Sequence, residues 1–163
     1  MLILKSPELV EEASIPIPYT QNGENLSPPL YWEDHPNKTR SFALLFTSMQ
    51  KEDAGVKDAH WMAWNIPEYM TALPEGVEKS KSLDTGIQQG LNYQRFYGYT
   101  GPETPNNNLI FELSLFALDT FLSLDHSISH DRYLETLETY ALDSKSFRIH
   151  FFEEEMQEEF PSL

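Results

Sequence analysis

His60 is the residue of this chain whose type and position could do chemistry. It opens the run His60-Trp61-Met62-Ala63-Trp64-Asn65-Ile66-Pro67. A neutral imidazole donates one hydrogen bond, and the protonated ring donates two and adds a positive charge. Such a ring can hold an oxyanion. Its apolar neighbours alone favour another role, a packed histidine with both nitrogens satisfied. The sequence supplies no familiar catalytic partner for it. No Gly-x-Ser-x-Gly elbow anchors an acyl-transfer serine. His60, His126, His130 and His150 are not spaced as metal ligands, and no His-Glu-x-x-His is present. No Walker-type loop and no Gly-x-Gly-x-x-Gly occur. Carboxylates are plentiful, yet nothing in their spacing points to a glycosidase pair. Cysteine is absent, which excludes disulfides, thiolate catalysis and zinc sites built on sulfur.

The elements that must position His60 read as mainly β. Strand character marks Leu30–Trp32, Ser41–Thr47, Trp61–Asn65 and Leu109–Ala117. Ser41–Phe46 is continuously apolar, as expected of a buried central strand. In the last run Ile110, Glu112 and Ser114 alternate with Phe111, Leu113 and Leu115, a period of two. Long loops rich in Asn, Gly, Pro and Thr separate the strands, above all Glu78–Asn108, and such loops on a rigid scaffold commonly carry sites. One helix is expected near Asp131–Leu142, capped by Ser129, with Tyr133, Leu134, Leu137 and Tyr140 at helical spacing. Ser146–Phe152 reads as a last strand or an amphipathic extension. The acidic run from Glu153 onward reads as a solvated tail.

Composition bounds the rest. At 163 residues the chain is expected to be one domain, 1–163, able to bury a core without staples. Eleven Lys and Arg stand against 26 Asp and Glu, a net charge of −15. That surface repels nucleic acid and anionic membranes. No apolar run is long enough to cross a bilayer as a helix, and the start is too soon broken for a secretory signal. The expectation is a cytoplasmic protein with no integral membrane segment and no cofactor.

Three stretches in register carry a resemblance. They are Gly23-Glu24-Asn25-Leu26-Ser27-Pro28-Pro29-Leu30-Tyr31-Trp32, the His60 run, and Gly98-Tyr99-Thr100-Gly101-Pro102-Glu103-Thr104-Pro105 followed by Ala117-Leu118-Asp119. Their order and gaps resemble the phosphatidylethanolamine-binding protein family, in its bacterial and archaeal branch. The resemblance implies a Greek-key antiparallel β-sandwich with one or two short helices. It also implies a small oxyanion cavity lined by the histidine of the His-Trp motif.

The same resemblance implies the other walls. The family's Asp-Pro-Asp-x-Pro turn falls on Ser48–Gly55, with Ser48 in place of the first aspartate in one alignment, or Asp53 and Ala54 matching in the other. Both prolines are absent. Asp53 is thus a candidate, with a solvated turn residue as its other reading. In the third stretch Gly101, Pro102 and Pro105 match, and Tyr99 and Pro102 are expected to flank the opening. Leu109, Ile110 and Phe111 fall where the family has histidine, arginine and tyrosine. A hydrogen bond to a charged group is worth about 1.5–3 kcal/mol, so this cavity should hold oxyanions poorly. Asn25, Ser27 and Asn65 are expected to satisfy turn backbones.

The resemblance implies a non-enzymatic regulatory or small-ligand-binding protein, its ligand anionic or phosphorylated. A protein-interaction module is the alternative, inhibitor-like toward a kinase or protease, or a homodimer, with a vestigial cavity. An enzyme acting on a small phosphorylated or sugar substrate is the third. If His60 only lines a pocket, His60→Ala should leave the melting temperature nearly unchanged.

Overall fold

The computed structural model describes residues 1–53, 55 and 57–153. Ala54 of the turn candidate and most of the acidic tail lie outside the described residues. The strands are β1 (Ile3–Lys5), β2 (Leu30–Glu33), β3 (Ser41–Gln50), β4 (Lys57–Pro67), β5 (Ala72–Leu73), β6 (Gln88–Gln89), β7 (Leu109–Leu118) and β8 (Ala141–Ile149). One helix, α1, spans His130–Tyr140, and a 3-10 turn spans Ile17–Tyr19. A five-stranded sheet has the order β6-β4-β3-β7-β8, and a three-stranded sheet has the order β1-β2-β5. Their registered pairings are antiparallel. β3 and β4 form a hairpin, and the chain then crosses over to lay β7 on the other side of β3.

β3 sits at the centre because both of its faces are apolar. Phe42, Leu44 and Phe46 join Leu4, Leu30, Trp32 and Leu73 of the small sheet in one core. Ala43 and Leu45 join Tyr133 and Leu137 of α1 in a second core on the opposite face. A strand covered on both sides loses the polar alternation of a half-exposed one. The helix starts as its residues dictate. The Ser129 hydroxyl accepts from the Arg132 N–H at 3.3 Å, and Asp131 lies in the first turn. The Tyr133 hydroxyl is fully buried and donates toward the carbonyls of Leu44 at 2.8 Å and Ala63 at 3.0 Å, which seats α1 on the hairpin. The last strand begins at Ala141, directly after the helix and earlier than its sequence pattern suggests.

Three asparagine and serine side chains bond backbone far away in sequence. Asn25 Oδ1 accepts from the Gly101 N–H at 2.7 Å, and Ser27 Oγ accepts from the Val77 N–H at 2.8 Å. Asn65 stands in the left-handed region with φ 60° and holds Leu122 twice. It accepts from the Leu122 N–H at 2.7 Å and donates to the Leu122 carbonyl at 2.9 Å. Asn65→Ala therefore loses two partly buried hydrogen bonds and a residue suited to positive φ. The expected cost is about 2–3 kcal/mol in denaturant unfolding. Asn65→Asp, which keeps the acceptor, should recover about half.

Candidate functional site

Two irregularities in the β3–β4 pairing shape β4. One lies between Phe46 and Thr47. Phe46 faces Trp61 and Thr47 faces Ala59, so His60 is the extra residue of a bulge. The bulge turns His60 and Trp61 to the same face of the sheet. Both rings meet the aromatic cluster around Phe46 and Tyr99. Bulges re-aim side chains in this way near sites.

The loop beyond β6 clasps the bulge. The Thr100 N–H donates to the His60 carbonyl at 3.0 Å. His60 Nδ1 in turn lies 2.8 Å from the Thr100 carbonyl oxygen. A carbonyl only accepts, so Nδ1 carries the proton. The other ring nitrogen, Nε2, lies 3.1 Å from Ser48 Oγ. In the neutral ring Nε2 accepts, and the Ser48 hydroxyl donates to it. The His60 side chain is almost sealed, at 3 % exposure, with the rings of Phe46, Tyr93 and Phe111 at 5.6, 4.8 and 5.4 Å. Burial pushes its pKa down to about 4, against the raising influence of the Thr100 carbonyl and the Asp58 carboxylate. At neutral pH the imidazole is uncharged.

A hollow of about 120 Å³ opens beside this ring. Its floor is the buried trio Ser48, His60 and Phe111. Ser48 faces Asp58 across β4 and Phe111 across β7, so one row of the sheet builds most of that floor and one wall. Tyr93 and Leu109 are half-buried, and Asp58, Glu103 and Thr104 form an exposed rim. Burial and the two nearby carboxylates, Glu103 and Asp58, raise the Tyr93 pKa, opposed by its bond from Gln21. Those carboxylates thus act on the hollow itself. No lysine or arginine lines it among the described residues.

Of the residues singled out from the sequence, His60, Leu109 and Phe111 meet at the hollow, and so does Ser48, which one of the two alignments set in the cavity wall. Four others stand elsewhere. Asp53 lies exposed in the turn after β3, where its carboxylate accepts from the Gly55 N–H at 3.3 Å. Tyr99, expected at the opening, is 1 % exposed, stacks on Phe46 and donates its hydroxyl to the Tyr19 carbonyl at 2.7 Å. Pro102 is buried, and its carbonyl accepts from the Gln21 N–H at 2.9 Å. Pro105 lines a separate, larger surface groove with Ile15, Ile17, Phe151 and Phe152. Asp58, Tyr93, Glu103 and Thr104 were not singled out. Asp58 and His60 are two apart on one strand, a spacing that hints at a shared face, but Tyr93 and Glu103 enter from loops and carry no local signal.

Comparison with known proteins agrees with this architecture. Residues 5–152 match the family described as phosphatidylethanolamine-binding protein. A UPF0098 protein of Methanothermobacter thermautotrophicus is 37 % identical over 140 residues, covering 85 % of this chain and 91 % of that one. A UPF0098 protein of Chlamydia pneumoniae is 31 % identical over 143 residues, covering 86 % and 91 %. The crystal structure of YbcL from E. coli superposes with a TM-score of 0.83 at 22 % identity, covering 94 % of this chain and 99 % of that one. The homologue CT736 of Chlamydia trachomatis superposes at 0.78 with 23 % identity, covering 94 % and 98 %. Those two structures attest the fold alone. The length of the profile match and the identity to the archaeal relative place this chain in the phosphatidylethanolamine-binding protein family, among its bacterial and archaeal members.

Proposed function

We propose that this chain is a non-enzymatic, small-ligand-binding protein of regulatory type, and that the hollow beside His60 is its binding site. The observation that carries this reading is a buried polar pair, Ser48 and His60, on the floor of an open hollow. A small void with a few fixed polar groups and an aromatic wall has the character of a ligand site. Its volume limits the enclosed ligand group to a few heavy atoms. A cytoplasmic location, expected from the sequence, goes with the same proposal.

Ser48 and His60 also resemble a nucleophile and its base, but the surroundings work against turnover. A ring with a pKa of about 4 is a weak base at neutral pH. Asp58 and Glu103 would oppose, rather than stabilise, an oxyanion forming above Ser48. The same carboxylates disfavour the expected oxyanion ligand. The neutral ring has spent its only N–H on Thr100, and the floor offers no cation.

The test is an NMR titration of the His60 and Tyr93 ring resonances with small probes at millimolar concentration. Propylammonium, 1-propanol and inorganic phosphate cover the charge classes. At least one should shift both rings, and Thr104→Trp, which adds bulk at the exposed rim, should abolish the shifts without unfolding the chain. Silence from all three probes would remove the hollow as a binding site.

A further inference from the structure

We propose that the larger groove, apart from the hollow, docks an extended peptide segment of another protein, one whose apolar side chains are flanked by Lys or Arg. The groove has a volume of about 610 Å³ and lies where residues 14–17 meet Pro105 and the segment Phe151–Glu153. Its apolar walls are uncovered, with Ile17 at 49 % exposure and Phe152 at 38 %. Exposed apolar surface gathered into a groove marks a contact surface. The walls are also fixed in advance. The Ile15 N–H donates to the His150 carbonyl at 2.7 Å, and the His150 N–H donates to the Ala13 carbonyl at 3.0 Å. The Phe152 N–H donates to Ser14 Oγ at 3.2 Å, and the Asn106 N–H donates to the Phe151 carbonyl at 2.8 Å. Walls already ordered lose little conformational freedom when a partner arrives.

Charge selects the occupant. Among the described residues, every Asp, Glu, Lys or Arg within two sequence positions of a wall residue is a glutamate: Glu12, Glu24, Glu103 and Glu153. All four are exposed. The nearby imidazole, His150, is already paired, its Nε2 lying 2.8 Å from the Glu12 carboxylate. The chain's own Glu154, Glu155, Glu158 and Glu159 carry the same sign as this rim, and a second copy brings a further net charge of −15. Like charge works against both as occupants, and against nucleic acid or an anionic membrane. A segment with Lys or Arg beside its apolar anchors meets opposite charge at the rim and apolar walls below it. The exposed amide of Asn22, also on the wall, can bond the backbone of such a segment. Because the rim glutamates are exposed, salt should weaken the attraction.

The experiment titrates the full chain with three end-capped peptides and follows its backbone amides by NMR at low and physiological salt. The probes are Lys-Lys-Ile-Phe-Lys-Lys, Glu-Glu-Ile-Phe-Glu-Glu and Lys-Lys-Ser-Asn-Lys-Lys. The first should shift the amides of Ile15, Ile17 and Phe152 and bind at least about tenfold more tightly than the other two at low salt. Its lead over the acidic peptide should narrow as salt rises. Ile17→Lys, a change at an exposed side chain, should abolish those shifts without lowering the melting temperature appreciably. The double variant Glu24→Lys, Glu153→Lys should weaken the first peptide and strengthen the acidic one. Equal binding of the Ser-Asn peptide would reduce the effect to bulk charge and overturn the inference, as would tighter binding of the acidic peptide. Binding that appears only after residues 154–163 are removed would assign the groove to the chain's own acidic segment. Self-association lost in Ile17→Lys would assign it to a second copy, and either result overturns the inference. Shifts confined to His60 and Tyr93 would move the peptide to the hollow, overturning this inference and leaving that site standing. No shift at millimolar peptide would overturn it outright.

Discussion

Gly101→Ala is expected to be the most damaging single-methyl change in the chain, at roughly 3–5 kcal/mol. A Cβ built at Gly101 lies 2.0 Å from the Tyr19 carbonyl oxygen, 2.9 Å from its carbon and 3.0 Å from the Thr20 Cα. All three are backbone atoms, so no side chain can swing away. The two segments are locked together on either side of the contact. Tyr99 donates to the Tyr19 carbonyl at 2.7 Å, Gln21 N–H donates to the Pro102 carbonyl at 2.9 Å, and Asn25 holds the Gly101 N–H at 2.7 Å. Separating them breaks several bonds at once, each worth about 1 kcal/mol. The melting temperature should fall by about 10 °C or more. Gly86→Ala is the control. Its Cβ meets nothing within 4 Å, and only its φ of +98° opposes the change, at about 1–2 kcal/mol. Because Thr100 precedes Gly101 and clasps His60, the damaging variant should also disturb the His60 ring resonances.

The second large effect is a pH-dependent loss of stability traced to His60. Its pKa is about 4 in the folded chain, against an ordinary value of 6.5. Between these values the unfolded chain binds a proton that the folded chain refuses. Stability from the neutral ring is complete above about pH 6.5 and drains away as pH falls toward 4, below which both states are protonated. A tenfold difference in proton affinity between the two states is worth about 1.4 kcal/mol, so the full loss is about 3 kcal/mol. His126 is also lowered by burial and contributes with the same sign. The assignment therefore needs the difference between the parent chain and His60→Phe, compared in urea unfolding from pH 7 to pH 5. The parent should lose stability across that range, and the variant should lose clearly less. Equal slopes would take the effect away from His60.

His60→Ala now carries a different expectation from the one its sequence context suggested. The ring packs against Phe46, Tyr93 and Phe111 as well as walling the hollow. Its removal should cost stability as a buried aromatic does, so a change in melting temperature alone cannot separate packing from binding.

The longer elements were legible because their patterns are strong. β3 read as a central strand because helix and small sheet cover it from both sides. The helix announced itself through Ser129, Asp131 and the spacing of Tyr133 and Leu137. β1, β5 and β6 run two or three residues, too short for a period to emerge. At the site, His60 was legible as a residue type, while Leu109 and Phe111 came only from the family resemblance. Ser48 came from one of two alignments to the family and Asp58 from none, because what brings both beside His60 is a cross-strand register that includes a bulge, and registers are invisible in a single strand's sequence. Tyr99 was misplaced for a related reason. A tyrosine at a rim and one in a core look alike until its hydroxyl finds a partner, here the Tyr19 carbonyl. Asn25 and Asn65 showed turn chemistry, but the backbone they hold belongs to loops more than fifty residues away.

The buried, neutral state of His60 underlies the pH effect, and the place of its one proton sets the hydrogen-bond directions on the floor of the hollow; nitrogen-detected NMR of that one imidazole measures both. The expected result is a neutral ring at neutral pH, its proton on Nδ1, taking up a second proton only near pH 4. A ring already charged at neutral pH would contradict the account of the site, and one carrying its single proton on Nε2 would reverse the hydrogen bonds read for Thr100 and Ser48.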